Sequence, residues 1–389
     1  MNKLTALSLL CMALVAGMAP WFATAAALPD MVRESGMAAG RQALLTSAVQ
    51  GGFVVGALGV AISGVADRLD PRHVMIASAL MNAVTTAGLL IAPVGGDMAV
   101  ALRFLTGVGF AGIYPVGMKI AVGWGLKDRG LIVGALVAAL TLGSSLPHFV
   151  AFAGGAEWRV VIWAMALSSA LAAGFGPFLS LGPHHAKAPA FEPGAIKLMW
   201  TNRRIRAATG GYLGHMWELY AMWSWIAAAS AAGFAISGAE DPVMLASLAA
   251  GLAIALGAVG CAPAGWIADR KGKANVAAGA MTLSGVCALA VAAAHGGPLW
   301  LSFLLIILWG FAVIPDSAQF SAMIADAAPP HLAGSLMAMQ TALGFALTIL
   351  TVQATPWAVD SFGWPLTLTI MAIGPAFGVA ALRPFVGRL

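Results

Sequence analysis

Apolar runs of roughly twenty residues recur from one end of this 389-residue chain to the other, and each is long enough to cross a hydrocarbon core of about 30 Å. That repetition excludes an ordinary soluble domain. Only 9% of the residues are charged and 60% are hydrophobic, whereas a soluble chain carries about 25% charge. The 47 glycines suit helix packing in lipid, where small residues let backbones approach closely. The expected fold class is an all-α, multi-pass membrane protein.

The opening stretch, "MNKLTALSLLCMALVAGMAPWFATAAALPD", imitates a secretory signal with Lys3, an apolar core and then small residues. Its apolar run continues to about Leu28, and Leu10 rather than a small residue precedes Cys11. An uncleaved first helix is therefore expected. Cys11, Cys261 and Cys287 fall inside apolar runs without metal-ligand spacing and read as small packing residues.

Turn and charge punctuation divides the chain into twelve spans, near 4–28, 41–63, 74–94, 98–122, 130–152, 158–181, 206–234, 242–264, 275–295, 298–325, 333–356 and 364–384. With the N-terminus inside, 15 of the 20 Lys and Arg fall on the cytoplasmic side: Lys3, Arg68, Arg72, Lys127, Arg129, Lys187, Lys197, Arg203, Arg204, Arg206, Arg270, Lys271, Lys273, Arg383 and Arg388. The opposite side receives Arg33, Arg41 and Arg159. This positive-inside bias places both termini in the cytoplasm and the protein in the cell (inner) membrane. The net charge of +5 thus reflects topology and does not point to nucleic acid. Residues 182–205, "GPHHAKAPAFEPGAIKLMWTNRRI", are basic and Pro-containing. They read as a cytoplasmic linker between an N-terminal bundle, 1–181, and a C-terminal bundle, 206–389. His184 and His185 read there as polar filler rather than metal ligands.

The two halves resemble each other at an offset near 200. "GFAGIYPVGMK" starts at Gly109 and "GFAVIPDSAQ" at Gly310; "ADRLDPR" covers 66–72 and "ADRKGK" covers 268–273. A six-helix unit repeated in parallel orientation is the architecture of many secondary transporters, with the substrate near the midplane between the halves.

"GWIADRKGK" resembles the cytoplasmic signature loop of the major facilitator superfamily through Gly265, Asp269, Arg270, Gly272 and Lys273. The first-half copy keeps Asp67 and Arg68 but has Asp70 and Pro71 where the family has Gly and a base. "RFLTGVG" is similar to the family's arginine motif, with Arg103 and Gly107 in place and Thr106 where Gln is common. The resemblance covers essentially the whole chain. It implies twelve transmembrane helices in two pseudo-symmetric six-helix bundles, with the substrate between them. It also implies a cytoplasmic gate of Asp67, Arg68, Asp269 and Arg270; by the bland alternative the arginines only enforce topology.

Ionisable groups at a helix centre cost about 2.5–3.5 kcal/mol each on insertion scales and usually face protein or a water-filled cavity. The candidates are Arg103, Lys119, His148, His215, Glu218 and Asp316. Gly211, His215, Glu218, Met222 and Trp225 form one helix stripe at 4-3-4-3 spacing. By the resemblance, helix 7 lines the cavity, so Glu218, His215 and Asp316 are candidates for proton coupling. A buried carboxyl that takes up a proton in one conformation and releases it in another performs that task. The alternative is a structural pair of Glu218 with His215 or Tyr212. Lys119 admits three readings: an inner gate with Asp316, a fixed charge for an anionic substrate aided by Tyr114 and Gln319, or snorkelling to the interface. Tyr212, Trp217, His148 and Arg103 complete the candidate substrate-binding set, Arg103 lying where it can also reach headgroups. Pro115 and Pro315 are placed to bend helices 4 and 10. The 19 methionines read as core filler, with no soft-metal ladder.

No phosphate-binding loop, catalytic triad or zinc motif occurs, so neither an enzyme nor a cofactor is expected. The leading expectation is a proton-coupled transporter moving a small organic anion by alternating access, acting as a monomer in the lipid bilayer. A drug or lipophilic-cation antiporter is the alternative, although helix 5 ends in Pro147-His148 and lacks that branch's later glycines. A non-transporting membrane sensor or assembly factor is the other.

Overall fold

The computed structural model describes residues 1–125, 128–154, 157–185 and 189–387. Lys127, Lys187 and Arg388, counted above among the cytoplasmic cations, lie outside the described residues, as does the side chain of Arg129. The long helices are α1 (Lys3–Ser35), α2 (Ala39–Ser63), α3 (Pro71–Gly88), α4 (Asp97–Val122), α5 (Arg129–Ala153) and α6 (Trp158–Phe178). They continue with α7 (Arg203–Ile236), α8 (Pro242–Lys271), α9 (Lys273–Ala294), α10 (Leu299–Ala327), α11 (333–362) and α12 (364–385).

Among the described residues, ten helical segments are long and apolar enough to cross a membrane. Helix α3 is not among them, because Arg72, His73 and Asn82 dilute its 18 residues. Helices α11 and α12 belong to a single 53-residue segment, which turns at Gly363 with φ 75° and ψ 171°. An L-residue rarely adopts that backbone, so the turn is a glycine position.

Helix starts follow local chemistry. Asp70 and Asp241 accept backbone N–H bonds ahead of Pro71 and Pro242, and Asn202 accepts from Arg204 and Ile205 to cap α7. Three long helices are broken near a proline: α1 by a tight turn at Ala19–Phe22, α4 just before Tyr114–Val122, and α10 just before Ser317–Ala327. The segment read as linker is not all loop, since Ile196–Thr201 is a short helix with Trp200 exposed.

Packing joins the first six helices to the last six along two seams, α5 on α8 and α2 on α11, and α7 touches the distal part of α1. Within each set, glycines bring backbones together. A Cβ on Gly107 of α4 would fall on the Val49 carbonyl of α2, and one on Gly310 of α10 on the Ala253 carbonyl of α8.

Loop contacts define two ends. At one, Lys3 pairs with Asp128, Lys119 with Asp67 and Lys273 with Asp326, while Gly387 bonds Asn275. At the other, Arg41 pairs with Asp97 and Arg159 with Glu34, and Ser237 bonds Gly297. Both chain termini thus lie at one end, called here the terminal end; the other is the far end.

Candidate functional site

Helix α7 runs through the middle of the second helical set, and 23 of its 34 residues are buried, so a charge in its middle turns is enclosed, unlike the exposed Arg203, Arg204 and Arg206 at its start. The Glu218 carboxylate is 2% exposed. It accepts a bond from Ser284 Oγ of α9 and another from Trp309 Nε1 of α10, both 2.8 Å. No cation contacts it among the described residues. One turn towards the terminal end, His215 Nδ1 lies 2.9 Å from Asp316 Oδ1, both side chains being almost wholly buried. That approach is not aligned as a hydrogen bond, and His215 Nε2 has no partner among the described residues. The shared stripe therefore holds, but its two ionisable groups serve different neighbours. Glu218 is bonded to neither His215 nor Tyr212. Neutral donors on α9 and α10 face it, and the break in α10 at Pro315 brings Asp316 to His215.

The two cations inside α4 are both engaged. Lys119 Nζ donates to Asp67 Oδ1 and to the Ala66 carbonyl, each at 2.6 Å. Its partner is thus the loop aspartate of its own half and not Asp316. Arg103 is fully buried and does not reach headgroups. Its guanidinium donates to the carbonyls of Pro20 (2.9 Å), Trp21 (2.5 Å) and Leu45 (3.5 Å). The Pro20 and Trp21 carbonyls lie at the break in α1, where the regular helical bonding is interrupted, and the Leu45 carbonyl belongs to α2, so the arginine ties the two helices together.

The remaining candidates are dispersed. Trp217 bonds the Ile370 carbonyl at 3.2 Å and ties α7 to α12. Tyr212 packs its ring against His215 and Phe320. Gln319 is buried one turn beyond Asp316, Tyr114 is half-buried at the break in α4, and His148 is buried with both ring nitrogens unpartnered among the described residues.

Where the two helical sets meet at mid-membrane, seven aromatic rings interlock: Trp21, Phe22, Phe53 and Phe110 from one side, Tyr220, Trp223 and Phe345 from the other. Trp21 touches Tyr220 (5.8 Å between centroids) and Phe345 (5.5 Å), Phe53 touches Phe345 (4.4 Å), and Phe22 touches Trp223 (5.5 Å). The indole N–H groups of Trp21 and Trp223 have no partner among the described residues. None of the seven rings was among the candidates named from the sequence. The available signal was their position at mid-helix, away from the interfacial belt. Further towards the far end, Gln353 donates to Ser47 at 2.7 Å, and Leu28, Ala43, Trp225 and Val352 cluster across the same seam.

The sequence model of the Major Facilitator Superfamily matches residues 9–351. The chain belongs to that superfamily. Among solved structures, a mutant of the nucleoside transporter NupG superposes with a TM-score of 0.75, covering 98% of this chain and 99% of that one at 15% identity. That likeness shows the fold. No curated protein matches the chain. The Major Facilitator Superfamily is one of transporters, and this chain is a multi-pass membrane transporter, not an enzyme.

The superfamily's signature loops differ in their contacts here. In the first, Asp67 holds Lys119, Arg68 is exposed, and the fork of Arg72 on Asp70 holds that carboxyl down to about 2. In the second, Asp269 Oδ2 lies 3.7 Å from where a Cβ on Gly130 would stand, beside the start of α5, where a carboxylate complements the helix dipole. Arg270 folds back 3.6 Å over the ring of Trp266 on its own helix.

Proposed function

We propose that this chain is a proton-linked secondary transporter in which two six-helix units, 1–181 and 206–389, rock about the interlocked rings. The linker 182–205 joins the units, and Glu218 is the proton-exchanging group, with the His215–Asp316 pair beside it. The observation that carries this is the setting of Glu218: a carboxylate at mid-membrane, enclosed and met by two neutral donors. A structural carboxylate there would be expected to have a cation or metal partner. The twelve crossings follow if α3 spans and Gly363 separates two spans. The bias of Lys and Arg supports a cytoplasmic terminal end. The cross-unit contacts at mid-membrane and towards the far end then describe a conformation closed to the outside.

The substrate we propose is a small organic solute without net charge, of nucleoside-like size and flatness. Lys119 and Arg103 are committed to Asp67 and to carbonyls, while ring faces dominate the meeting of the units and stack well on planar solutes. The nucleoside transporter of the same fold supports this reading. An organic anion remains the second reading, favoured by the position of Lys119 near Tyr114, and requires Lys119 to leave Asp67. Thermal unfolding of the purified protein with uridine, adenosine, benzoate or tetraphenylphosphonium separates them. A ligand at a hundred times its dissociation constant adds about 2.7 kcal/mol of apparent stability. Stabilisation by the nucleosides, reduced in Trp21→Ala, is expected. Stabilisation by benzoate alone, lost in Lys119→Ala, would establish the anion instead.

A further inference from the structure

At the terminal end of the second helical set, the start of α7 at Arg203 meets the last residue of α10, Ala327, and the turn that closes α12, Arg383–Phe385. A groove of ≈ 590 Å³ lies between these three helix ends, room enough for a small organic ligand. Asn202, Arg203, Arg204, Asp326, Ala327 and Phe385 line it.

The wall of this groove carries uncompensated positive charge. Its acidic member, Asp326, is already paired with Lys273. Arg203 and Arg204 are both exposed. Arg203 lies 5.7 Å over the Phe385 ring, and neither guanidinium has an ion pair or hydrogen bond among the described residues. Lys3, Arg72, Lys119 and Lys273 at the same end each rest on a carboxylate. The Asn202 side-chain oxygen caps α7 by accepting from Arg204 N and Ile205 N, which leaves its amide nitrogen to donate.

The surroundings of the groove suit lipid. Ile196 and Trp200, one turn apart on the short helix that precedes α7, are exposed, whereas Met199 of that helix joins the buried cluster of Ile205 and Ile324. Val386, next to Phe385, is exposed as well. Apolar and aromatic side chains displayed at the ends of spanning helices belong at the bilayer interface. A free anion in water would gain nothing from that rim.

We propose that the groove binds the headgroup of an anionic phospholipid from the leaflet at the terminal end. The two guanidiniums fork onto the phosphodiester oxygens, the Asn202 amide adds a donor, and the apolar rim meets the glycerol and upper acyl chains. Basic pockets between helix ends hold anionic headgroups in this way. The bound lipid ties the start of α7 to the ends of α10 and α12. Arginines that served topology alone would need only their charge, not this geometry.

Native mass spectrometry of the full chain, delipidated in detergent, tests the site by titration with dioleoyl phosphatidylglycerol or dioleoyl phosphatidylcholine. One phosphatidylglycerol is expected to bind at least tenfold more tightly than phosphatidylcholine. Each arginine near a headgroup is worth about fivefold, so Arg203→Gln/Arg204→Gln should weaken that lipid at least tenfold. Arg203→Lys/Arg204→Lys keeps the charge that sets topology and should weaken it at least threefold; it decides alone if the glutamine pair does not fold. Lys197→Gln/Lys271→Gln removes the same charge from exposed positions outside the groove and should change the affinity less than twofold. Equal binding of the two lipids, or equal losses in the groove and control variants, would overturn the site. Displacement of the phosphatidylglycerol by equimolar inorganic phosphate would make a soluble anion the occupant and overturn the lipid.

Discussion

Within a bilayer a guanidinium can be held by backbone carbonyls alone, and Arg103 is. Its three bonds to Pro20, Trp21 and Leu45 stabilise the turn that sets Trp21 among the rings. Arg103→Ala leaves those buried carbonyls unsatisfied and should cost on the order of 3 kcal/mol, read as a lowered unfolding midpoint in detergent. Arg103→Lys should recover only part of it, because the three guanidinium nitrogens reach carbonyls on two helices at once from fixed positions, whereas an ammonium offers its donors from a single nitrogen. At the terminal end, Arg72 holds Asp70 down to about 2, below the usual carboxylate value. The stabilisation is therefore full above about pH 4 and is lost as pH falls towards 2. Asp70→Asn keeps a capping side chain on α3 and removes the charge. It should cost about 1 kcal/mol at pH 7, allowing for the partly exposed arginine, and progressively less as pH falls through about 2, as a pH series of unfolding midpoints would reveal.

Among the elements, the breaks in α4 and α10 were legible in Pro115 and Pro315. The break in α1 was not. Its apolar run looked continuous to Leu28, whereas the helix extends to Ser35 and turns at Ala19–Phe22, which places Trp21 and Phe22 at its middle. Nothing local to "APWF" announces an arginine 83 residues away in sequence. The stripe on α7 was read from its period, but the partners of Glu218 are a serine and a tryptophan on two other helices, and neutral residues in apolar runs carry no periodic signal. Lys119 was placed on α4 with three readings open, none of which named Asp67, because a long side chain near a helix end reaches loop carbonyls and carboxylates as readily as a facing helix. Glycine spacing supplies a prediction at this scale. Gly107→Ala would press its methyl against the Val49 carbonyl and should destabilise the protein by about 1–3 kcal/mol. Gly279→Ala, on an exposed face of α9 with nothing within 4 Å, should stabilise by about 0.5–1 kcal/mol. Equal midpoints for the two variants would contradict the packing described for α2 and α4.

For the whole molecule, multi-pass membrane character was plain from composition, and superfamily membership from two loops and one helix motif. What no stretch of sequence displayed was which contacts join the units. Rings at mid-membrane and the Ser47–Gln353 bond beyond them close one side of the protein. If Glu218 carries the proton that drives rocking, its protonation must change the separation of the units at the far end. Spin labels at Asp97 and Glu240, both exposed at the far end, report that separation by pulsed electron resonance without any knowledge of the substrate. We predict one short distance at pH 8, a second and longer population at pH 5, and a distribution in Glu218→Gln that no longer responds to pH. An unchanged distribution in the native protein, or the same pH response in Glu218→Gln, would contradict the account.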